Sequence, residues 1–220
     1  MKARKKKSRT KPKLRLFVLG ATGKTGGALV AQAVAHGHFV TTFGRSPFAG
    51  ADKAKVLSIS GNPMSERELA DALPGHDAVL SVLGTRGLRA TKVLDDSSRA
   101  TIGAMRKAGV RRLVILSSAL LDKNIGLIDK IVGRTILRHF SSDQRAMEKL
   151  VTQSDLDWTV LRPPRMTDSA PEGPSTAMLG EPTDSSGMTI TKEEVARVML
   201  DTVENRRYIR KVVHIRGGSR

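Results

Sequence analysis

Three glycines, each separated by two residues, constrain this chain more than any other feature: Gly20-Ala21-Thr22-Gly23-Lys24-Thr25-Gly26. Their position makes them informative. They follow an apolar run, Leu14 to Leu19, interrupted only by Arg15, which reads as a strand entering a sheet buried on both faces. After them Ala28, Leu29, Val30, Ala33 and Val34 recur at helical spacing until His36-Gly37-His38, and a second strand, Phe39 to Phe43, follows. Strand, glycine turn, helix and strand make a βαβ unit. In that setting the glycines permit a tight turn and let a pyrophosphate approach amide N–H groups at the positive end of the helix. Gly-Lys-Thr comes too soon after Gly20 for a Walker A loop, which disfavours ATP hydrolysis.

The alternation continues. A strand is expected near Val56 to Ile59, a helix from Ser65 to Leu73 with Ser65 and Glu68 spaced as a capping box, and a strand from Ala78 to Leu83. A helix from about Thr91 to Ala108 ends at Gly109, and Arg112 to Leu116 leads into Ser117-Ser118. Residues 143 to 153 read as helix, Trp158 to Leu161 as a strand stopped by Pro163-Pro164, Lys192 to Val203 as helix and Lys211 to Ile215 as a last strand. Thr167 to Ser186, rich in Pro, Gly, Ser and Thr, reads as one long irregular segment, either a lid or a surface loop. The expectation is an α/β fold, a single Rossmann-like doubly wound parallel sheet with helices on both faces, over residues 14 to 220.

Charge separates the first 13 residues from this domain. Lys2, Arg4, Lys5, Lys6, Lys7, Arg9, Lys11 and Lys13 supply eight of the seventeen excess positive charges with no acidic residue among them, so a disordered tail is expected. Aromatic residues do not alternate with these lysines, which favours non-specific polyanion contact over a base-stacking nucleic-acid site. Cysteine is absent, which removes disulfides, thiolate nucleophiles and cysteine-ligated metals. No apolar stretch reaches the ~20 residues of a membrane span, and a cytoplasmic location is expected. The histidines show no metal-ligand spacing, and no metal is expected.

Cofactor choice is read after the second strand, where an acidic residue would bind the adenosine ribose of NAD. Here Gly44-Arg45-Ser46 stands instead, and Arg45 with the Ser46 hydroxyl suits a 2′-phosphate, which favours NADP(H). Lys24 adds charge nearby. The only tyrosine, Tyr208, is followed four residues on by Val212, so the Tyr-x-x-x-Lys proton-transfer pair is not formed. Around the ends of the later strands stand Gly84-Thr85-Arg86, Ser117-Ser118 and Arg162-Pro163-Pro164-Arg165, polar groups without a clear acid or base.

From Leu14 to about Ile215 the chain resembles the atypical, NmrA-like short-chain reductases, and within them the flavin reductase/biliverdin reductase B family. The matching stretches are Gly20 to Gly26, Asp77-Ala-Val-Leu-Ser-Val-Leu-Gly-Thr-Arg86, Ser117-Ser-Ala119, Met147-Glu-Lys149 and Pro163-Pro164. The resemblance implies that Gly20, Thr22, Gly23, Lys24, Thr25, Gly26, Arg45, Ser46, Leu83, Gly84, Thr85, Arg86, Ser117 and Ser118 surround NADPH, with Asn62 beside the adenine where relatives place an Asp. Arg165 stands where the family reductase has a histidine. The implied activity is hydride transfer to a flavin, quinone or tetrapyrrole-like acceptor, with Ser118 orienting the reactants and Arg162, Pro164 and Arg165 meeting the acceptor. Two other readings remain: an NmrA-like protein that binds NADP as a redox sensor without turnover and, further off, an isomerase or epimerase.

Overall fold

A computed structural model of the chain describes residues 12–50, 54–84, 92–121, 138–168, 176–179 and 189–216. Apart from Pro12 and Lys13, the expected tail lies outside them, as do Thr85 and Arg86. The strands are β1 (Arg15–Leu19), β2 (Phe39–Gly44), β3 (Val56–Ser60), β4 (Ala78–Ser81), β5 (Arg112–Leu116), β6 (Asp157–Arg162), β7 (Arg165–Thr167), β8 (Thr176–Leu179), β9 (Thr189–Thr191) and β10 (Lys211–Arg216). The helices are α1 (Lys24–Ala35), α2 (Glu66–Ala72), α3 (Val93–Ala108), α4 (Arg138–Thr152) and α5 (Lys192–Glu204).

The main sheet runs β3-β2-β1-β4-β5-β6-β10-β8, parallel throughout except for β8, which is antiparallel to β10. Strand order reverses between β1 and β4. Alternation within β1 shows how five residues serve two layers. Leu16 and Val18 join Leu29 and Val30 of α1 and Val195 and Met199 of α5, while Phe17 and Leu19 join Leu69 of α2, Met105 of α3 and Met147 of α4. All four β1 side chains are fully buried, each worth roughly 1.5–3 kcal/mol relative to exposure. From Leu16 to Leu19 the strand is thus apolar without a break because both its faces are covered.

Sequence and structure part company after β6. Thr167 to Ser186 is not wholly irregular, since Thr176–Leu179 pairs along β10 as β8. A second sheet, β7 beside β9, also escaped the sequence. Runs of three or four residues carry too little periodicity to announce a strand; pairing decides them. Helix α4 begins five residues before the expected 143, because Arg138 to Ser142 lacks an apolar stripe of its own.

Helix ends follow the expected chemistry more closely. Gly109 terminates α3 in a left-handed conformation, φ 71°. Ser65 accepts from the Glu68 amide at 3.3 Å, but the returning arm differs from a capping box: Glu68 Oε2 accepts from the Asn62 amide at 2.8 Å.

Candidate cofactor site

Because β1 to β6 are parallel neighbours, the turns at their carboxyl ends fall along one edge of the sheet. Along that edge lie Gly20 to Gly26 after β1, Arg45 and Ser46 after β2, Asn62 after β3, Leu83 and Gly84 after β4, Ser117 and Ser118 after β5, and Arg162 to Arg165 at the end of β6. The crevice where strand order reverses, between β1 and β4, is where such sheets bind ligands. The loop of β1 crosses it.

The three loop glycines have different reasons to be glycine. Gly20 has φ +86°, and a Cβ there would stand 2.8 Å from the carbonyl of Val82, so the turn lies directly on the end of β4. Gly26 lies inside α1, where a Cβ would come within 2.2 Å of Gly20 O. Gly23 is extended, φ −80°, and serves as the residue before α1 with no side chain to cap it.

That missing cap sets α1 apart. The first turn of α2 donates to Ser65, that of α5 to Thr191, and that of α3 to the Asp143 carboxylate, from Leu94 at 3.1 Å and Asp95 at 2.9 Å. At α1, among the described residues, no side-chain oxygen and no first-turn acid meets the amides, and a cation, Lys24, opens the helix. Amides left without an acceptor beside close-approach glycines fit a pyrophosphate.

Lys24 is already paired. Asp168 bridges it at 2.6 Å and Lys192, the first residue of α5, at 2.5 Å. Hydrogen bonds from Lys192 and then Lys24 hold the Asp168 carboxyl below its ordinary value, and Asp168 in turn raises the Lys24 ammonium. A dinucleotide phosphate would compete with Asp168 for Lys24. Nothing in the sequence pointed to this carboxylate, which lies 144 residues from its partner in the segment expected to be irregular.

Arg45 and Ser46 are exposed in the bend after β2, and the Phe48 amide, donating to Ser58 Oγ at 2.8 Å, pins that bend to β3. Asn62 uses its Oδ1 on the Met64 amide at 3.1 Å, which leaves its amide NH₂ outward as a donor where an Asp would only accept.

At the other end of the edge, Ser117 is 4 % exposed, and its hydroxyl meets no partner among the described residues. A buried hydroxyl left unmatched is an opening for a bound polar group. Ser118 precedes a single 3₁₀ turn, Ala119–Leu121, whose Leu121 amide donates to Ser118 O at 3.3 Å. Pro164 is buried, and Pro163 O accepts from Ala119 N at 3.0 Å, tying the β6 end to the β5 end.

Arg162 has a partner inside the protein. Its Nε and Nη2 donate to Glu148 Oε1 at 3.0 Å and Oε2 at 2.6 Å in a two-pronged pair, so its charge is spent within the protein and Arg165, exposed at the start of β7, is the cation left facing outward. This gives the Met147-Glu148-Lys149 stretch its meaning. Two buried acceptors on α4 were also missed: Asp143, which caps α3, and Gln144, whose Oε1 has no partner among the described residues. Polar residues on the buried stripe of α4 were the available signal.

A second polar cluster, His36, His38 and Glu204, lies at the opposite ends of the strands. Both rings donate to Glu204 Oε1, at 2.6 and 2.8 Å. Metal ligation is disfavoured by the protons: the Leu14 amide donates to His38 Nδ1 at 3.0 Å, so Nε2 carries the hydrogen and keeps no lone pair for a cation.

With this geometry in hand, likenesses to known proteins fall into place. The chain is 26 % identical over 224 residues to uncharacterized protein At2g34460, chloroplastic, of Arabidopsis thaliana, covering 91 % of this chain and 76 % of that one. A short-chain dehydrogenase/reductase from Veillonella parvula DSM 2008, solved in complex with NADP, superposes with TM-score 0.76 at 18 % identity, over 92 % of this chain and 94 % of that one. A candidate NADH-flavin reductase from Streptococcus pneumoniae TIGR4 superposes with TM-score 0.72 at 20 % identity, over 93 % of this chain and all of that one. These structures share the fold. The model of the NAD(P)H-binding family matches residues 20–206, which include every turn of the edge described above, and the chain belongs to that family.

Proposed function

We propose that the chain is an NADPH-dependent oxidoreductase that reduces a flavin, quinone or tetrapyrrole-like conjugated acceptor. The observation that carries this reading is a contrast along one edge of the sheet. The phosphate end offers close-approach glycines and uncapped amides, whereas among the described residues the acceptor end brings no acid–base pair together. Tyr208, the only tyrosine, lies in the turn before β10, at the other ends of the strands. A reaction suited to such a site needs a held reductant and an acceptor whose reduced form is stabilised, with solvent supplying the proton.

In this reading the α1 amides and Gly20 to Gly26 hold the pyrophosphate, Lys24 adds charge, and Arg45 with Ser46 holds the 2′-phosphate. Asn62 donates toward the adenine, and Leu83 and Gly84 line the floor at β4. When bound, NADPH supplies the hydride. Ser117 offers a buried hydroxyl to the carboxamide end, Ser118 orients the acceptor, and Arg165 attracts an acceptor phosphate or carboxylate. Arg162 acts through Glu148 by fixing the β6 end. The same lack of an acid–base pair favours the second reading, an NADP-binding sensor without turnover.

The test follows near-ultraviolet NADPH absorbance with FMN, riboflavin, a quinone and a linear tetrapyrrole, with NADH for comparison. Steady oxidation of NADPH that Arg45→Glu weakens by about a hundredfold in kcat/KM, and that NADH does not match, is the expected result. Tight NADPH binding with no acceptor reduced would replace the reductase by the sensor.

A further inference from the structure

The ends of the strands opposite the cofactor edge form a surface with its own chemistry. Three of the large apolar side chains exposed on this protein lie there: Phe39 at the start of β2 (49 %), Leu57 in β3 (60 %) and Ile209 in the turn before β10 (36 %). Phe39 and Leu57 line a groove of about 250 Å³ with Arg15 and Lys55 at its sides. Burial lowers the pKa of His76 in the same groove, and its ring is held between Leu73 O and Thr41 Oγ1, so it brings no charge at neutral pH.

The turn that carries Ile209 is built for display. Arg206, Tyr208 and Arg210 all adopt positive φ, 48°, 57° and 56°, without being glycine. Their neighbourhood is held from inside: buried Arg112 donates to Thr202 O and Arg207 O, and Thr159 Oγ1 donates to Tyr208 O. Carbonyls thus face in, and Arg206, Arg207, Ile209 and Arg210 face out, with Arg206 3.6 Å from Asp157 and Arg207 3.3 Å from Asp201. Arg210 spends its guanidinium on the carbonyls of Leu156 and Asp155, and among the described residues no carboxylate pairs with Lys13, Lys55 or Lys211.

We propose that this face docks on the surface of an anionic lipid bilayer, its cations meeting headgroups while Phe39, Leu57 and Ile209 enter the interfacial layer. Exposed apolar side chains among cations are what a bilayer rewards and a nucleic-acid backbone does not. Among the described residues no helix is long and apolar enough to cross a membrane, so the association is peripheral. It stands independently of the reductase reading. Docked this way, the cofactor edge faces water, a strand length away from the lipid.

The test is co-sedimentation of the full chain with phosphatidylcholine vesicles, alone or with ~30 % phosphatidylglycerol. Binding is expected only with the anionic lipid, weakened at least about tenfold in the double variant Phe39→Ser, Leu57→Ser, whose NADPH affinity is unchanged. In the unaltered chain, hydrogen exchange is expected to slow around residues 55–57 and 206–211 on the vesicles. Absence of binding overturns the proposal, as does anionic binding indifferent to the double variant, exchange that slows only in the first 13 residues, or duplex DNA bound with the same sensitivity to Phe39 and Leu57.

Discussion

The two halves of the cofactor edge are built by different means. From β1 to β3, main-chain features define the site: the left-handed Gly20, the Gly26 that leaves no room for a Cβ, the bare α1 amides, and the Gly61 amide donating to Gly44 O at 2.9 Å. At β5 and β6 side chains brought from elsewhere define it: Glu148 gripping Arg162, Asp143 on the start of α3, and Ser117 left open. A main-chain site is shaped by where glycine can go, and tolerates little else. A side-chain site keeps its shape only while both members of a pair are present.

Three measurements probe that contrast. Glu148→Ala should have the largest effect on stability, because Arg162, only 14 % exposed, would lose the carboxylate that meets it at two points: about 3 kcal/mol, read from urea unfolding. A loss within about 0.5 kcal/mol would mean that the pair does not hold the β6 end. Gly26→Ala should cost about 1–3 kcal/mol through overpacking against Gly20 O, while calorimetry shows NADPH affinity falling by about a hundredfold. Normal NADPH affinity in this variant would remove the main-chain account of the first half.

The smallest effect is at Asp168, where the two halves touch. Its depressed pKa means that the link to Lys24 and Lys192 exists above the ordinary value of 3.8 and is lost only as pH falls through the lower folded value. Carboxyl NMR should therefore show Asp168 titrating below 3.8, with Lys192→Gln shifting it upward more than Lys24→Gln does. An ordinary titration would mean that the bridge does not persist in solution.

The same contrast explains what was legible in the sequence. The βαβ opening, the sheet and the main-chain half could be read because glycine spacing and buried strands are local patterns. Ser65 announced its cap; the destination of Glu68 did not follow from spacing. Arg162 looked like a cation waiting for a ligand because its partner lies 14 residues back on a helix whose register no local pattern fixed. Asp168 lay in a stretch without periodicity, and β8 needed β10 beside it to be a strand.

Asp143 carries a consequence of another kind. It accepts from the amides of Leu94 and Asp95 across separations of 49 and 48 residues, while Lys92, at the cap position itself, contributes no side-chain bond. The start of α3 is therefore finished by a residue 49 positions further along the chain than Leu94. Until α4 docks, the body of α3 can wind and its Gly109 end can close, but its first turn waits on a contact whose loop-closure entropy must be met first. Closing the first turn of α3 and docking α4 are, by that connection, a single step.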